Sequence, residues 1–501
     1  MKIYFINPPF RAEYGKFSRE SRSPAVTKSG ALYYPLWLIY AAVWAEKQGH
    51  SVEFLDAPAK PLNEAESLSL IRERAEGCRL FVLDTSTPSI YRDIAFGEAL
   101  KARYPEAFIA LVGTHPTAVP EETLRLGPGI DLIARREYDF TISRLASLIE
   151  GSASRAEALS GLSGILGISF RDGAGLIHHN PDAPYIEKLD EIPMAAEFIR
   201  RRLNYRDYFF PAAEYPEIQI FTGRGCPCHC TFCVYPQTMH GHRYRLRSPE
   251  NVVSEFSYIA ENFPDVREIV LEDDTFTIDR RRVEAICRLL IERGLQKRFR
   301  WLCNARVNTL DLDTMKLMKK AGCRLLIPGI ESGNQGILDA IKKGTTLSQV
   351  QRYIEDSRKA GLLVHACYMV GNPGENRETI EETLRLALRL NTDTAQFFPL
   401  IPYPGTEVYR LAKKNGWLRA SSYEDYCKRD GTHNTVLDLP ELSAEEMVNF
   451  CDRARRRYYL RPRYILHRLW MGLKDPADLV RSLKAFGKLW RYLLKRGNGK
   501  G

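Results

Sequence analysis

The chain has 501 residues, 72 Lys and Arg against 62 Asp and Glu, and a hydrophobic fraction of 44%. That length exceeds what one core serves, so two or three domains are expected, and a charged fraction of 27% excludes a membrane-embedded or disordered chain. Eleven Cys in so long a chain make no disulfide scaffold, no apolar run spans a bilayer, and residues 1–10 read as a strand rather than a signal peptide, all of which point to a reducing cytoplasm. From residue 451 onward lie 15 of the basic residues and only 3 of the acidic ones, so the body is near neutral and the tail is basic. A near-neutral body argues against nucleic acid as a partner.

Strand patterns at residues 2–6, 52–56, 80–84, 108–112 and 131–134 alternate with helical stretches. That alternation predicts an α/β, doubly wound parallel sheet over residues 1–150, with ligands outside the strand C-termini. The candidate ligand loops are Thr85, Ser86 and Thr87 after the third strand and Gly113 and Thr114 after the fourth. The polar stretch 18–28, with Arg19, Arg22 and Lys28, reads either as a flap over a ligand or as a solvated loop. Residues 151–204 hold a hairpin pattern and several Pro and read as a linker.

From 205 to 420 strand and helix alternate again, six times, and polar signatures follow the strands: Glu272-Asp273-Asp274, Cys303-Asn304-Ala305-Arg306 and Glu331-Ser332. A partial (β/α)6 barrel is expected, with its site at the C-terminal mouth. Asp273 is a candidate general base there, or with Asp274 a cap for the helix that follows. Cys303 is a candidate hydrogen-atom or proton donor, or a core thiol; Cys287 and Cys367 read as core. After the first of these strands stand Cys226, Cys230 and Cys233 at C-x3-C-x2-C spacing, preceded by Gly223 and Gly225. Three thiolates on one short loop can grip an iron–sulfur cluster and leave one iron open. With Cys228 and His229 the same loop can instead hold zinc, in a protein without catalysis.

The spacing, with Phe232 before the last Cys, resembles the radical SAM superfamily. The resemblance implies a 4Fe–4S cluster on Cys226, Cys230 and Cys233, with Cys228 outside the ligand set. It implies S-adenosylmethionine (SAM) on the open iron, cleaved reductively to a 5′-deoxyadenosyl radical. It assigns SAM contacts to Phe232, to Glu272 and Asp274 for the amino group, to Arg306 for the carboxylate, and to Glu331 and Ser332 for the ribose. The N-terminal half resembles the cobalamin-binding domain that precedes many such cores. No Asp-x-His-x-x-Gly motif is present, so cobalamin binds without a protein lower ligand or the domain is a cofactor-free scaffold. His115 follows the wrong strand for that ligand.

Residues 236–241, 243–252 and 329–335 resemble the hopanoid-biosynthesis-associated branch and, more loosely, the anaerobic Mg-protoporphyrin ester cyclase group. The resemblance implies functionalisation of an unactivated carbon in a lipid or natural product. The outcome is C-methylation if cobalamin is bound, and cyclisation or rearrangement if it is not. A flavodoxin or ferredoxin is the implied electron donor. Residues 421–501 read as a helical extension. Within it, 478–496 places Leu479, Leu483, Phe486, Trp490 and Leu493 on one face with basic flanks, either docked on the core or lying on the inner face of the membrane.

Overall fold

The computed structural model describes residues 1–11, 15–22, 24, 26–27, 30–428 and 434–466. The first sheet begins with β1 (Lys2–Asn7). After a two-residue ladder of β2 (Lys16–Phe17) and β3 (Val26–Thr27) come β4 (Ser51–Asp56), β5 (Cys78–Thr85), β6 (Phe108–Gly113) and β7 (Leu132–Ala134). β4, β1, β5, β6 and β7 pair in parallel in that order, so the sheet winds both ways from β1. β6 is buried along its whole length, as parallel strands covered on both faces must be.

β8 (Ile168–Arg171) and β9 (Ile177–His179) extend this sheet as an antiparallel hairpin on β7. The stretch 151–204 is therefore not a plain linker: its hairpin belongs to the first sheet. Its helix Ala195–Arg202 buries Phe198 and Ile199, and the Ala196 N–H donates to Glu255 of the second half.

The second sheet is β10 (Glu217–Ile220), then, past a short ladder of β11 (Gly223–Arg224) and β12 (Arg245–Leu246), β13 (Glu268–Leu271), β14 (Arg300–Ala305), β15 (Cys323–Glu331), β16 (Leu363–Val370) and β17 (Thr394–Pro399). The six long strands pair in parallel in chain order. Its two faces are chemically distinct. Ile269, Trp301, Cys303 and Leu326 pack under the helices, whereas Val270, Leu302 and Leu325 meet Phe210, Ala213 and Tyr33 on the inner face. β15 ends at Glu331, so that residue, expected just past a strand, is the last residue of it.

One helix joins the halves. Leu36–Lys47 is apolar nearly all round and buried from Leu36 to Val43, so it must be covered on every side. Tyr40 donates to the Phe221 carbonyl and accepts from the Phe221 N–H, and Trp37 packs edge-on to Tyr235 and His240.

Past the barrel, the chain is not continuously helical. A single turn, Tyr423–Tyr426, crosses to the first half, and the helix Ala444–Tyr459 packs on β17. The amphipathic stretch 478–496 lies outside the described residues.

Candidate active site

The three cysteines sit on a loop held from all sides. β11 and β12 clamp its base. Gly225 has φ 89°, and a Cβ there would lie 2.2 Å from the Arg243 carbonyl oxygen, so only glycine lets the strands approach. The Cys226 N–H donates to Gly241 O at 3.2 Å and the Thr231 N–H to Ile341 O at 3.1 Å. The Gln237 amide donates to the carbonyls of Cys230, Thr231 and Cys233 at 3.3, 3.2 and 2.9 Å.

Cys226 and Cys230 are buried, Cys228 and Cys233 half-buried, and none forms a disulfide. The Cys233 thiol is pushed well up by burial and by the negative charges near it, Asp274, Cys230 and Cys226. A buried set of thiols with this cost of ionisation suits a metal centre, which stabilises the thiolates. Among the described residues no three His, Cys, Asp or Glu side chains converge to hold a single metal ion. A cubane takes one thiolate per corner, so its ligands need not converge on one point.

Asp273 is the latch of this loop. Its Oδ1 accepts from the Thr222 N–H at 2.6 Å, and its Oδ2 from the Thr222 hydroxyl at 2.6 Å and the Tyr244 hydroxyl at 2.8 Å. Both oxygens are engaged inside the protein, so the expected general base is instead a structural acceptor. Nor do Asp273 and Asp274 cap the next helix: Asp279 does. Asp274 Oδ2 accepts from the Gly225 N–H at 3.1 Å and lies 3.0 Å from His240 Nδ1. Burial works to raise its pKa, but His240, Arg22 and the Gly225 N–H hold it below the ordinary carboxylate range.

Glu272 points into the mouth. Its Oε2 lies 3.4 Å from Arg22 Nη1, and burial raises its pKa against that pairing. Arg306, just past β14, is buried, and its guanidinium has no hydrogen-bonded or ion-paired partner among the described residues. Cys228 and Lys343 lie within its electrostatic reach. Glu331 sits in the left-handed region at φ 68°, its Oε1 held by Lys343 Nζ at 2.7 Å. Lys343 also stands 6.0 Å over the Phe232 ring. A Cβ at Gly329 would fall 2.1 Å from Glu331 Oε1, which leaves that glycine bare beside the pair. Lys343 was not singled out from the sequence: it lies in irregular chain just after the helix Gln335–Ala340, with no strand immediately before it.

Two expected residues face elsewhere. Ser332 is fully buried, its hydroxyl 3.3 Å from the Thr383 hydroxyl and accepting from the Asn334 N–H at 3.2 Å, so it turns to the helix behind the strand and not to the mouth. Cys303 lies on the helix-facing side of β14, in the layer of Cys287 and Cys323, and burial pushes it far up. Period-two alternation makes Asn304, not Cys303, the inward residue. By the same alternation Cys367, expected in the core, faces inward on β16. It is half-buried, within reach of Glu331, Arg22 and Lys343, and pushed by burial to about 12.

The C-terminal edge of the first sheet is the second candidate seat. Thr85, Ser86 and Thr87 bond inward: Thr85 Oγ1 to Val112 O at 2.7 Å, Ser86 Oγ to Ser89 Oγ at 2.9 Å, Thr87 Oγ1 to His115 Nδ1 at 3.1 Å. Gly113, at φ 115°, is the bare spot; a Cβ there would lie 2.2 Å from Thr85 O. Thr114 opens the short helix Thr114–Ala118. Both oxygens of Asp84, His115 Nε2, the Tyr138 hydroxyl and Trp37 Nε1 are buried without a hydrogen-bond partner. Buried polar atoms rarely stay unpartnered. This edge therefore fits a large polar ligand that brings its own donors and acceptors. His115 is covered by Tyr423, their ring centroids 4.5 Å apart, and burial lowers its pKa to about 3.

A family model described as "B12 binding domain" matches residues 22–146, and one described as "Radical SAM superfamily" matches residues 220–387. The sequence is 30% identical over 466 residues to an uncharacterized methyltransferase of Pyrococcus horikoshii, covering 93% of this chain and 94% of that one. The chain belongs to the radical SAM superfamily. Within it, the chain is also 28% identical to the anaerobic magnesium-protoporphyrin IX monomethyl ester cyclase of Rubrivivax gelatinosus, over 97% of this chain and 82% of that one. It is 24% identical to the hopanoid C-3 methylase of Methylococcus capsulatus, over 82% and 74%. In fold it resembles TsrM of Kitasatospora setae, a methyltransferase whose structure holds cobalamin and a [4Fe-4S] cluster, with TM-score 0.66 at 18% identity over 90% of each chain. This radical SAM protein is an enzyme of the radical SAM methyltransferase type, with a 4Fe–4S cluster and SAM as cofactors and a domain of the B12-binding family.

Proposed function

We propose that this enzyme C-methylates an unactivated carbon of a small molecule of lipid or natural-product class, with Cys226, Cys230 and Cys233 holding the cluster. The observation that carries the site assignment is Arg306, 8% exposed, whose guanidinium has no hydrogen-bond or ion-pair partner among the described residues and lies within electrostatic reach of the stapled three-thiol loop. A buried cation without a counterion calls for an anionic ligand, and the carboxylate of SAM supplies one. When bound, the cluster and SAM supply the hydrogen-abstracting radical, and cobalamin carries the methyl group.

The protein's own part is placement. Arg306 and Glu272 take the two charged ends of the amino acid, and Glu331, oriented by Lys343, takes a ribose hydroxyl. Phe232 and the Lys343 stem exclude water from the cluster side. Gly113 and the unpartnered edge around Asp84 seat the corrin. The match of residues 22–146 to the B12 binding domain supports methyl transfer over cobalamin-free ring closure. The relatives' own names, a hopanoid methylase and a porphyrin ester cyclase, support a large, largely apolar substrate.

No helix among the described residues is long and apolar enough to cross a membrane. For such a substrate the basic tail 478–496 is the proposed contact with an anionic bilayer, and a flavodoxin or ferredoxin the proposed donor. The test is anaerobic reconstitution with hydroxocobalamin. Iron, retained corrinoid and 5′-deoxyadenosine on reduction with SAM are expected, and all but the corrinoid are lost in Cys226→Ala, Cys230→Ala and Cys233→Ala. Zinc in place of iron would overturn the assignment, and full nucleoside release without corrinoid would favour ring closure.

A further inference from the structure

The strap that leads from β1 to the joining helix is pinned twice before it reaches the barrel mouth. Arg19 is fully buried. It pairs with Asp93 through Nε (3.3 Å) and Nη2 (2.5 Å), and its Nη1 donates to Asn7 Oδ1 and Pro8 O at 2.7 Å each. Glu20 accepts the backbone N–H groups of Trp37 and Leu38 at 2.8 and 3.1 Å, at the N-terminus of the joining helix. Its own carbonyl takes the Tyr235 hydroxyl at 2.9 Å.

Two residues on, Arg22 lies in the mouth. Nη1 is 3.4 Å from Glu272 Oε2, Nη2 donates to the Asp273 carbonyl at 3.1 Å, and the guanidinium stands 5.6 Å from the centre of the Tyr235 ring. Cys233 and Asp274 are within its electrostatic reach. Unlike Arg306, this cation is open to solvent: its side chain is 41% exposed, while Glu272 is 10% exposed. A cation supplied by the first half thus sits on the carboxylate read above as the partner of the SAM ammonium.

We propose that Arg22 stands in for that ammonium in the nucleotide-free protein, so that SAM binding displaces it from Glu272 while Arg19 and Glu20 keep the strap in place. The inference rests on the assignment of Glu272 made under Proposed function. Two cations cannot share the buried carboxylate without repulsion, and Arg22, unlike Glu272, has solvent to turn to. The exchange links SAM occupancy of the barrel to a side chain carried by the corrin-binding half. Because the pair is partly exposed, the competition weakens SAM binding by about fivefold at most.

Equilibrium dialysis of the reconstituted holoprotein against SAM and against 5′-methylthioadenosine, which has no amino acid group, tests this. Arg22→Gln and Arg22→Met are expected to bind SAM about two- to fivefold tighter than the parent protein. Arg22→Lys should stay near the parent, and all four proteins should bind methylthioadenosine alike. Iron content and melting temperature, measured alongside, confirm that each variant is folded. Unchanged SAM affinity in both neutral variants would overturn the proposal, and weaker binding would make Arg22 a direct partner of the nucleotide instead. Failure of every iron-replete protein to bind SAM would overturn the site assignment itself.

Discussion

Arg306 and Asp273 show how burial separates a binding group from a structural one. Both are buried and charged, yet Asp273 satisfies both oxygens within the loop whereas Arg306 has no counterion among the described residues. Arg306→Gln should therefore leave the iron content intact and weaken SAM binding by about ten- to a hundredfold, the worth of a charge-assisted pair. Iron titration and equilibrium dialysis check the two halves of that statement. Asp273→Ala should do the reverse. It strands the Thr222 N–H and the Tyr244 hydroxyl and costs about 3 kcal/mol of stability, read as a lower melting temperature and lost iron. A variant that kept both and lost only turnover would restore Asp273 as a base.

Elements rather than residues set what the sequence could reveal. The Cys spacing and the strand–helix alternation were legible because thiol chemistry and period-two burial leave local marks. Which side of a strand faces the mouth was less so: the register of β14 puts Asn304 inward and Cys303 out, and a one-residue shift reverses every such assignment. Lys343 was illegible because it meets Glu331 only through the tertiary packing of β15, whereas Arg22 stood on a stretch legible as a flap over a ligand or as a solvated loop, with no local sign of which side chain it would meet. The hairpin β8–β9 was recognised as a hairpin but not as part of the first sheet, since strand partners are not written locally.

Two outcomes belong to single elements. Gly225→Ala forces a side chain into a left-handed turn 2.2 Å from a carbonyl, so reconstituted iron should fall by at least half even where the protein remains soluble. At the base of the barrel, burial pushes Glu217 of β10 up to about 8, with the Phe210 N–H acting against it, while Oε2 has no hydrogen-bond partner. An unfolded Glu titrates near 4.3, so between about 4.3 and 8 the folded protein holds a proton that the unfolded chain has lost, and stability falls as pH rises through that window. Glu217→Gln removes that slope. Its melting temperature relative to the parent should climb from pH 5 to pH 8, and a constant difference would rule the account out.

For the whole molecule, the joining helix Leu36–Lys47 leaves neither half a finished surface. Tyr40 closes two hydrogen bonds on Phe221, and Trp37 lies against Tyr235 and His240, so separation of the halves would wet an apolar helix. Calorimetry of the cofactor-free chain should give one transition, and two peaks separated by more than about 10 °C would show halves that melt independently. The turn Tyr423–Tyr426 ties the same halves at the opposite end of the sequence, with Glu424 paired to Arg11 at 3.2 Å and the Tyr423 hydroxyl donating to Glu122 at 2.8 Å.

That turn also governs an imidazole. While Tyr423 roofs His115, burial keeps that ring uncharged down to pH 5. Tyr423→Ala would bare it to water. Potentiometric titration would then find one additional group that gains charge between neutrality and pH 5, a buffering capacity that the intact protein lacks.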